Sequence, residues 1–420
     1  MTRSRLFRLR PAVGLAAAMM CVWGLVYSFP LFVVPLSSEL HADRAAIAGI
    51  VVALLVWGAI SGPPIGALID RIGPRPAVLT GIALASIGFA AFSQARELWQ
   101  AYVAFAGILG TGQTLIYLGA NVLIARSFSG ERATAFGIAY AGLGIGTGLY
   151  AIGGQLLVVE LGWRTAALVL SVTPLLVVPG ILRLHAGAAA RVDLPGGGSV
   201  ASRGAAAARG ATLGALALIL LSSMALGLLD EGIYQNLLPH ALLGGFGPTT
   251  AALALALVSA AYVVGQLVGG VAMDRWGPRP TAMVAFVVAA VGVLGVTSTR
   301  STDQLAEFRL LGSTLLYGGG LAVLLLVRLA TFADRFAGPR FGFLSGIFAL
   351  AYPVGGSFIV WFGGLAYDLW RSYLPAFGIS AAGLLLATLA LLLVTRPVGI
   401  APAEPRAILT PRPLSRRPGD

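Results

Sequence analysis

The stretch GALIDRIGPRP, from Gly66 to Pro76, returns later in the chain as GVAMDRWGPRP, from Gly270 to Pro280. The two copies lie 204 residues apart throughout, and Pro35 and Pro239 repeat at the same offset. Because the match extends beyond one loop, the chain consists of two homologous halves.

The amino-acid composition is typical of an integral membrane protein. Of the 420 residues, 58% are hydrophobic and only 10% are charged, and the mean hydropathy is +0.89. Soluble proteins carry about 25% charged residues. A spanning helix needs roughly 20 apolar residues, so a chain of this length can cross a bilayer about 12 times. No room remains for a large soluble domain.

Apolar stretches without charged residues predict six spanning helices in each half, which we number spans 1 to 12. In the first half they are 12–38, 45–69, 76–95, 98–125, 133–159 and 165–182. In the second half they are 211–229, 248–273, 280–299, 310–327, 341–367 and 372–395. The predicted fold is therefore an all-α membrane protein with 12 transmembrane helices in two pseudo-symmetric six-helix bundles.

Four segments make up the expected domain organisation. Residues 1–183 form the N-terminal bundle and residues 211–396 form the C-terminal bundle. Residues 184–210, with a Pro-Gly-Gly-Gly run and an Ala/Arg-rich continuation, have the composition of a flexible cytoplasmic linker. Residues 397–420, with six prolines among arginines, predict a disordered cytoplasmic tail.

The distribution of arginine predicts the orientation. With the N-terminus in the cytoplasm, the inner segments hold 21 of the 28 basic residues and the outer loops hold 6. Membrane proteins concentrate basic residues in cytoplasmic loops. We therefore expect a multi-pass protein of the lipid bilayer, in a cell inner membrane or plasma membrane, with both termini cytoplasmic.

Several functions are excluded by residue types. All 28 basic residues are arginine, and without lysine the chain has neither an ATP-binding phosphate loop nor a Schiff base to retinal or pyridoxal phosphate. Cys21 is the single cysteine, and the three histidines lack the spacing of metal ligands. We expect no cofactor and no metal. The net charge of +12 reflects topology, so we expect no nucleic-acid partner.

The two copies of the motif place an aspartate at the end of a span. Asp70 ends span 2 and Asp274 ends span 8. The N-terminus of a helix carries about +0.5 charge and free N–H groups, so a carboxylate that docks there gains about 0.3–2 kcal/mol. On the same face, span 11 begins near Phe341 and span 5 near Ala133. We expect Asp70 to dock on span 11 and Asp274 on span 5 when this face is closed; alternatively, Asp70 and Arg71 only mark topology.

Ten residues of the motif are thus the candidates for conformational gating. They are Gly66, Asp70, Arg71, Gly73 and Arg75 in the first half, and Gly270, Asp274, Arg275, Gly277 and Arg279 in the second.

Regularly spaced glycines leave part of the surface of two spans without side chains. Gly58, Gly62 and Gly66 repeat every four residues along span 2, which makes a smooth stripe that another helix can approach closely. Gly142, Gly144, Gly146 and Gly148 do the same in span 5. Two alternatives explain this pattern: the glycines let helices pack closely, or they let helices slide past each other during a functional cycle.

The repeated motif resembles the loop between helices 2 and 3 of the major facilitator superfamily. A closer resemblance, to the monocarboxylate and oxalate/formate branch, rests on residues around the start of span 5 and in span 1, namely Phe128, Arg132, Ala135, Gly137, Ala139, Ala141, Gly142 and Gly146, with Gly24, Tyr27 and Phe29. The resemblance implies that helices 1, 4, 7 and 10 surround a central cavity, with helices 2, 5, 8 and 11 beside them.

Three charged residues lie in or beside the predicted spans, where charge is costly. Arg328 in span 10 either reaches the cavity or snorkels to the inner surface. Asp230 and Glu231 follow the 19 apolar residues of span 7, toward its outer end. They are either loop acids or a proton-coupling pair, because two adjacent acids resist simultaneous ionisation.

Polar side chains within the spans complete the candidate site. On the helices that the resemblance places around the cavity, the expected substrate-binding residues are Tyr27, Tyr117, Asn121, Tyr140, Gln266, Tyr317, Arg328 and Tyr352. Tyr27, near the middle of span 1, is the strongest of the uncharged candidates.

The leading hypothesis is a secondary active transporter, working as a monomer, that moves a small organic anion by alternating access. The substrate is a mono- or dicarboxylate, carried by proton symport or anion exchange, because a planar arginine pairs well with a carboxylate. Asp230 and Glu231 would repel an anion, so we expect them to lie nearer the outer surface, apart from Arg328. Proton-coupled efflux of drug-like compounds is the main alternative, and a non-transporting membrane sensor is a weaker one. The chain contains no G-x-S-x-G or H-E-x-x-H motif, so it is not expected to be an enzyme.

Overall fold

The computed structural model describes residues 3–128, 130–186, 205–299 and 304–395. All regular structure within these ranges is helical. The central part of the predicted linker, 187–204, and the predicted tail lie outside the described residues, so the domain boundaries there stay a prediction.

The helices follow the predicted spans. The first half contains α1 (Arg3–Tyr27), α2 (Pro30–Leu40), α3 (Arg44–Ile72), α4 (Pro74–Ser93), α5 (Leu98–Ala101), a π-helical segment (Tyr102–Leu109), α6 (Gly110–Ser127), α7 (Arg132–Leu161) and α8 (Trp163–Ala186). The second half contains α9 (Ala205–Leu243), α10 (Pro248–Trp276), α11 (Pro278–Ser298), α12 (Gln304–Phe336), α13 (Phe341–Trp370) and α14 (Leu374–Val394). Span 1 is α1 with α2, span 4 is α5 to α6, and each remaining span is one helix.

Eleven helices of the described chain are long and apolar enough to cross a membrane. The remaining predicted span is α8, a helix of 24 residues whose segment Trp163–Pro179 is apolar. Large apolar side chains such as Ile60 and Leu176 are exposed on the outside of the bundles, as contact with lipid tails requires. The predicted all-α fold with twelve spans is confirmed.

Span 1 is broken near its middle. Pro30 has no amide hydrogen and cannot continue the α-helical hydrogen-bond ladder. Around the break, the N–H of Phe29 bonds to Val26 and the N–H of Leu31 bonds to Ser28, each one residue tighter than in an α-helix. The uninterrupted helix expected for span 1 is therefore replaced by two helices, and Tyr27 lies at the end of the first one.

Span 7 is longer than predicted. The apolar run ends at Leu229, but α9 continues to Leu243 and the whole segment Leu213–Leu243 is apolar enough to span. The prediction that Asp230 and Glu231 lie toward the outer end of the span is wrong, because they occupy its middle. Polar residues are tolerated at this depth when they face the bundle interior and find partners.

Span 4 contains a feature that apolar periodicity does not indicate. Residues Tyr102–Leu109 form a π-helix between α5 and α6. The hydroxyl of Tyr102 donates a 2.8 Å hydrogen bond to the carbonyl of Ala46 in α3. Segments of this kind are uncommon in helices and often occur near functional sites.

The two halves meet along two equivalent interfaces. Span 2 (α3) packs on span 11 (α13), and span 8 (α10) packs on span 5 (α7). Exchanging the halves converts one interface into the other, as the sequence repeat requires. Both interfaces run along the helices that carry the repeated motif, so the motif lies where the halves touch.

Candidate functional site

The repeated motif forms the same tight turn in each half. A single residue, Gly73, separates α3 from α4, and Gly277 separates α10 from α11. Their φ angles are 90° and 82°, a region that favours glycine because it has no Cβ. A proline then starts the next helix, a position that needs no N–H donor. The short turn holds the preceding aspartate close to the neighbouring half.

Asp70 joins the first half to the second. Its carboxylate accepts hydrogen bonds from the backbone N–H groups of Gly342 (2.9 Å) and Phe343 (3.0 Å) at the start of α13. These N–H groups have no partner within their own helix and carry the positive end of its dipole. The contact expected between Asp70 and span 11 is present.

Asp274 makes the matching contact in the other direction. It accepts hydrogen bonds from the N–H groups of Ala133 (3.1 Å) and Thr134 (2.8 Å) at the start of α7. The expected contact with span 5 is therefore present as well. Together the two aspartates close the face of the molecule on which they lie, which we call the motif face.

Two ion pairs on the motif face were not predicted. Arg126 contacts Asp70 at 3.0 Å, and Arg132 at the start of α7 pairs with Asp334 in α12, across the two halves. No sequence pattern joins the partners, which lie 56 and 202 residues apart in the chain.

The arginines of the motif itself are not part of this closure. Arg71, Arg275 and Arg279 are exposed and Arg75 is half-buried. Within the described residues none of the four forms an ion pair with an acid. Their places near the motif face agree with a topological role.

Glycines permit the close approach of the halves. A Cβ on Gly66 would collide with the carbonyl of Gly342, and a Cβ on Gly346 would lie 2.5 Å from the carbonyl of Gly62. At the equivalent interface, a Cβ on Gly270 would lie 2.7 Å from the carbonyl of Ala133. Glycine is therefore required on both sides of each interface while the motif face is closed.

The other glycines of the two stripes differ in their surroundings. Gly142 and Gly146 pack against the backbone of α1 within the first half, whereas Gly148 faces open space and Gly58 has only Thr114 nearby. Packing within a bundle thus explains part of the pattern in span 5. The contacts between halves involve the glycines nearest the motif face and also Gly144, where a Cβ would lie 2.5 Å from the side chain of Val263 in α10.

A cluster of charged and aromatic side chains lies in the second half, around the middle of span 7. The hydroxyl of Tyr352 in α13 donates a hydrogen bond to Asp230 in α9. The guanidinium of Arg328 in α12 lies 4.7 Å from the ring centre of Phe348 and 5.6 Å from that of Tyr352. Arg328 is only 6% exposed, so it is held by cation–π contacts and does not snorkel to the surface.

Arg328 has unused hydrogen-bonding capacity. Its Nε and Nη1 groups are buried and have no acceptor in the part of the chain that the structure describes. Buried donors normally have a partner, because desolvation without a hydrogen bond is costly. The guanidinium can therefore accept an anionic ligand.

The acids and the arginine are close neighbours. Asp230 and Arg328 share Tyr352 as a partner and interact electrostatically. The expectation that position keeps Arg328 apart from the acids is wrong, because α9 carries Asp230 to the depth of Arg328. Glu231 accepts a 3.0 Å hydrogen bond from Gln235 one turn away.

Aromatic side chains of the first half form a second cluster. We call it the facing wall, because Tyr27 within it lies near Asp230 and Glu231 of the second half. Tyr27 stacks on Trp23 with ring centres 5.7 Å apart and planes inclined by 24°. Tyr117 meets Trp23 edge-on at 6.5 Å and Tyr140 edge-on at 6.0 Å. Tyr140 donates a 2.8 Å hydrogen bond to Asn121.

The predicted site residues thus fall into two groups and two outliers. Tyr27, Tyr117, Asn121 and Tyr140 lie together in the first half, and Asp230, Glu231, Arg328 and Tyr352 lie together in the second. Tyr317 is fully buried and its hydroxyl bonds to the carbonyls of Leu229 and Asp230, a packing role. Gln266 is 1% exposed; its backbone carbonyl lies against Gly137 of α7, and its side chain hydrogen-bonds to Tyr262.

Trp23 and Phe348 are parts of the cluster that sequence reasoning missed. Trp23 precedes Tyr27 by four residues, and Phe348 precedes Tyr352 by four. Side chains at this spacing share one face of a helix. Applied to each predicted cavity residue, this rule would have found both aromatics.

The sequence profile of the Major Facilitator Superfamily matches residues 12–229 and again residues 220–418. Human monocarboxylate transporter 11 (Homo sapiens) is 31% identical over 288 residues, which cover 66% of this chain and 60% of that protein. Monocarboxylate transporter 13 of Rattus norvegicus is 27% identical over 372 residues, 87% of this chain and 83% of that protein. The chain thus spans less than two thirds of the length of the former relative.

Solved structures share the fold. The Escherichia coli fucose:proton symporter superposes with a TM-score of 0.68 at 15% identity, over 92% of this chain and 98% of that one. A second structure of this symporter, in the outward conformation, also gives 0.68, at 16% identity, over 92% and 99% of the two chains.

Proposed function

We propose that this chain, which belongs to the Major Facilitator Superfamily, is a secondary active transporter that moves a small organic anion, a mono- or dicarboxylate, by alternating access. The observation that carries the proposal is the buried guanidinium of Arg328, which has free donors and lies beside an acid at mid-membrane depth. The printed names of its relatives, monocarboxylate transporters, favour the same substrate class.

Arg328 binds the carboxylate in this proposal. A guanidinium presents planar donors that pair with both oxygens of a carboxylate, and it stays charged when buried. The rings of Phe348 and Tyr352 hold it in place. Tyr27, Tyr117, Asn121 and Tyr140 line the facing wall and contact the rest of the substrate.

Asp230 and Glu231 couple a proton to the anion. A charged Asp230 offsets the field of Arg328, and at low dielectric this effect is large. When a proton neutralises Asp230, Arg328 attracts an anion without opposition. Proton and carboxylate therefore bind together, which makes the transporter a symporter; exchange of one anion for another occurs when the proton stays bound.

The motif face is cytoplasmic in this proposal, as the arginine distribution favours, and it is closed while the site opens to the outside. Asp70 and Asp274 hold it closed, assisted by the close glycine contacts and by the turns at Gly73 and Gly277. Release of the two aspartates from α13 and α7 opens the cytoplasmic side. The two six-helix bundles rock as units in a cell inner membrane or plasma membrane, and the protein works as a monomer.

Uptake by purified protein in proteoliposomes tests the proposal. A panel of carboxylates and organic cations is offered with and without an inward proton gradient. We expect uptake of at least one carboxylate, stimulated by the gradient. Uptake of cations alone contradicts the anion assignment.

One observation favours a second candidate, proton-coupled efflux of drug-like compounds. Two acids, Asp230 and Glu231, accompany one arginine at the centre, and this excess of negative charge suits a cationic substrate. The cation arm of the same panel, run with an outward proton gradient, distinguishes the two, because an efflux protein then takes up an organic cation in exchange for protons and leaves carboxylates outside.

A further inference from the structure

Tyr27 exposes an aromatic ring in the middle of a span. The side chain is 49% exposed, although it lies at the break of span 1. Its neighbours come from both halves: Trp23 stacks on it, and Asp230, Glu231 and Tyr262 lie near enough to interact with it electrostatically. A ring enclosed by both bundles faces the central cavity and not lipid.

The ring is held rigidly. Trp23 stacks on Tyr27 with planes inclined by 24°, and Tyr117 packs edge-on against Trp23. Stacked aromatic side chains have few rotatable bonds, so the wall offers a fixed flat surface. The opposite wall offers the charges of Asp230 and Arg328.

A bound carboxylate accounts for Arg328 but leaves the exposed part of the Tyr27 ring without a ligand contact. A substrate that satisfies both walls has a carboxylate at one end and a flat apolar body at the other. Aromatic rings stack in an offset manner at centroid distances of about 4.5–7 Å. A saturated ring of the same size is puckered and lacks the π-face that this geometry uses.

We infer that the substrate is an aromatic monocarboxylate, whose ring stacks on Tyr27 backed by Trp23 while its carboxylate pairs with Arg328. The inference rests on the proposed function and adds the substrate class and the specificity-determining role of Trp23 and Tyr27. Stacking discriminates an aromatic from a saturated ring by about 2- to 10-fold in affinity.

Calorimetric titration of the purified full-length protein with benzoate and with cyclohexanecarboxylate tests the inference. The two acids carry the same carboxylate and six-membered rings, and both are ionised at pH 7. We expect wild type to bind benzoate about 2- to 10-fold more tightly. Tyr27→Leu and Trp23→Leu lose this preference, whereas Tyr27→Phe, which keeps the ring, retains it.

Trp361→Leu serves as the matched control, because Trp361 lies in α13 with 63% of its surface exposed and belongs to neither wall. It should leave the preference unchanged. Equal affinities in wild type, a preserved preference in Tyr27→Leu, or its loss in Tyr27→Phe overturns the inference. If acetate binds in an Arg328-dependent manner without ring preference, only the inference fails. If no carboxylate binds, the proposed function fails with it.

Discussion

Tyr352 in α13 donates a hydrogen bond to the carboxylate of Asp230 in α9. The same tyrosine ring lies beneath the guanidinium of Arg328. One side chain thus links the carboxylate of Asp230 to the guanidinium of Arg328. Because the three residues come from three helices, any change of helix position alters how strongly Asp230 opposes the charge of Arg328. The cluster thereby connects protonation, anion binding and helix movement.

Asp230→Asn should separate proton coupling from anion binding. The amide keeps the shape and accepts the hydrogen bond of Tyr352 but carries no charge, so Arg328 is permanently unopposed. We expect carboxylate exchange to persist while accumulation driven by a proton gradient is lost. Parallel measurements of exchange and gradient-driven uptake check this.

Glu231→Gln is the neighbouring comparison. It should shift the pH dependence of uptake and leave binding measurable, because Glu231 interacts electrostatically with Asp230 but makes its hydrogen bond to Gln235. If Asp230→Asn still accumulates carboxylate when a proton gradient is applied, a group other than Asp230 carries the proton.

Asp70→Asn should weaken transport more than it weakens folding. It removes the charge that docks on α13 and pairs with Arg126, which stabilises the closed motif face by about 0.3–2 kcal/mol. We expect expression and melting temperature close to wild type, reduced uptake, and increased labelling of cavity residues by a reagent added from the motif side.

Asp368→Asn is the matched control, since Asp368 is an exposed acid at the other end of α13. It should change neither uptake nor labelling. Unaltered transport in Asp70→Asn would mean that this aspartate is only a topological marker.

Gly66→Ala should disfavour the closed motif face. The added methyl group collides with the backbone of Gly342, and such overpacking costs about 1–3 kcal/mol. We expect a protein that folds with its motif side open and transports slowly. Gly153→Ala in α7, where a Cβ meets nothing within 4 Å, is the control for the same change in a helix and should transport normally. Equal rates in the two variants would show that the close contact is dispensable.

The orientation predicts the behaviour of reporter fusions. A reporter that is active only in the cytoplasm should be active when inserted after residue 200, between the halves, and inactive when inserted after residue 302, between spans 9 and 10. Activity at the second position, or its absence at the first, contradicts both the twelve-span topology and the assignment of the motif face to the cytoplasm.

Order and number of the spans were predictable because the requirement for about 20 apolar residues is local. The docking of Asp70 and Asp274 was also predictable. Each aspartate ends a span beside a turn too short to move away, and the start of the facing helix can be read from the start of its apolar stretch. Features that depend on neighbours along the chain, or on the repeat, were accessible from the sequence.

Features that depend on distant packing were not accessible. The apolar run of span 7 stops at Leu229 although its helix does not, so Asp230 was placed at the wrong depth. Its partner Tyr352 lies 122 residues later. Whether Arg328 enters the cavity or reaches the surface is decided by two rings of another helix, Phe348 and Tyr352, and no pattern within span 10 contains that information.

The most direct test of the account is a simultaneous measurement of carboxylate and proton movement into proteoliposomes that contain wild type or Arg328→Gln. Wild type should take up a labelled carboxylate together with protons, seen as alkalinisation of the outer solution when the substrate is added. Arg328→Gln, folded to the same extent, should show neither flux. Normal carboxylate-coupled proton uptake by Arg328→Gln, or proton movement driven by organic cations alone, would contradict the assignment of Arg328 as the anion-binding residue.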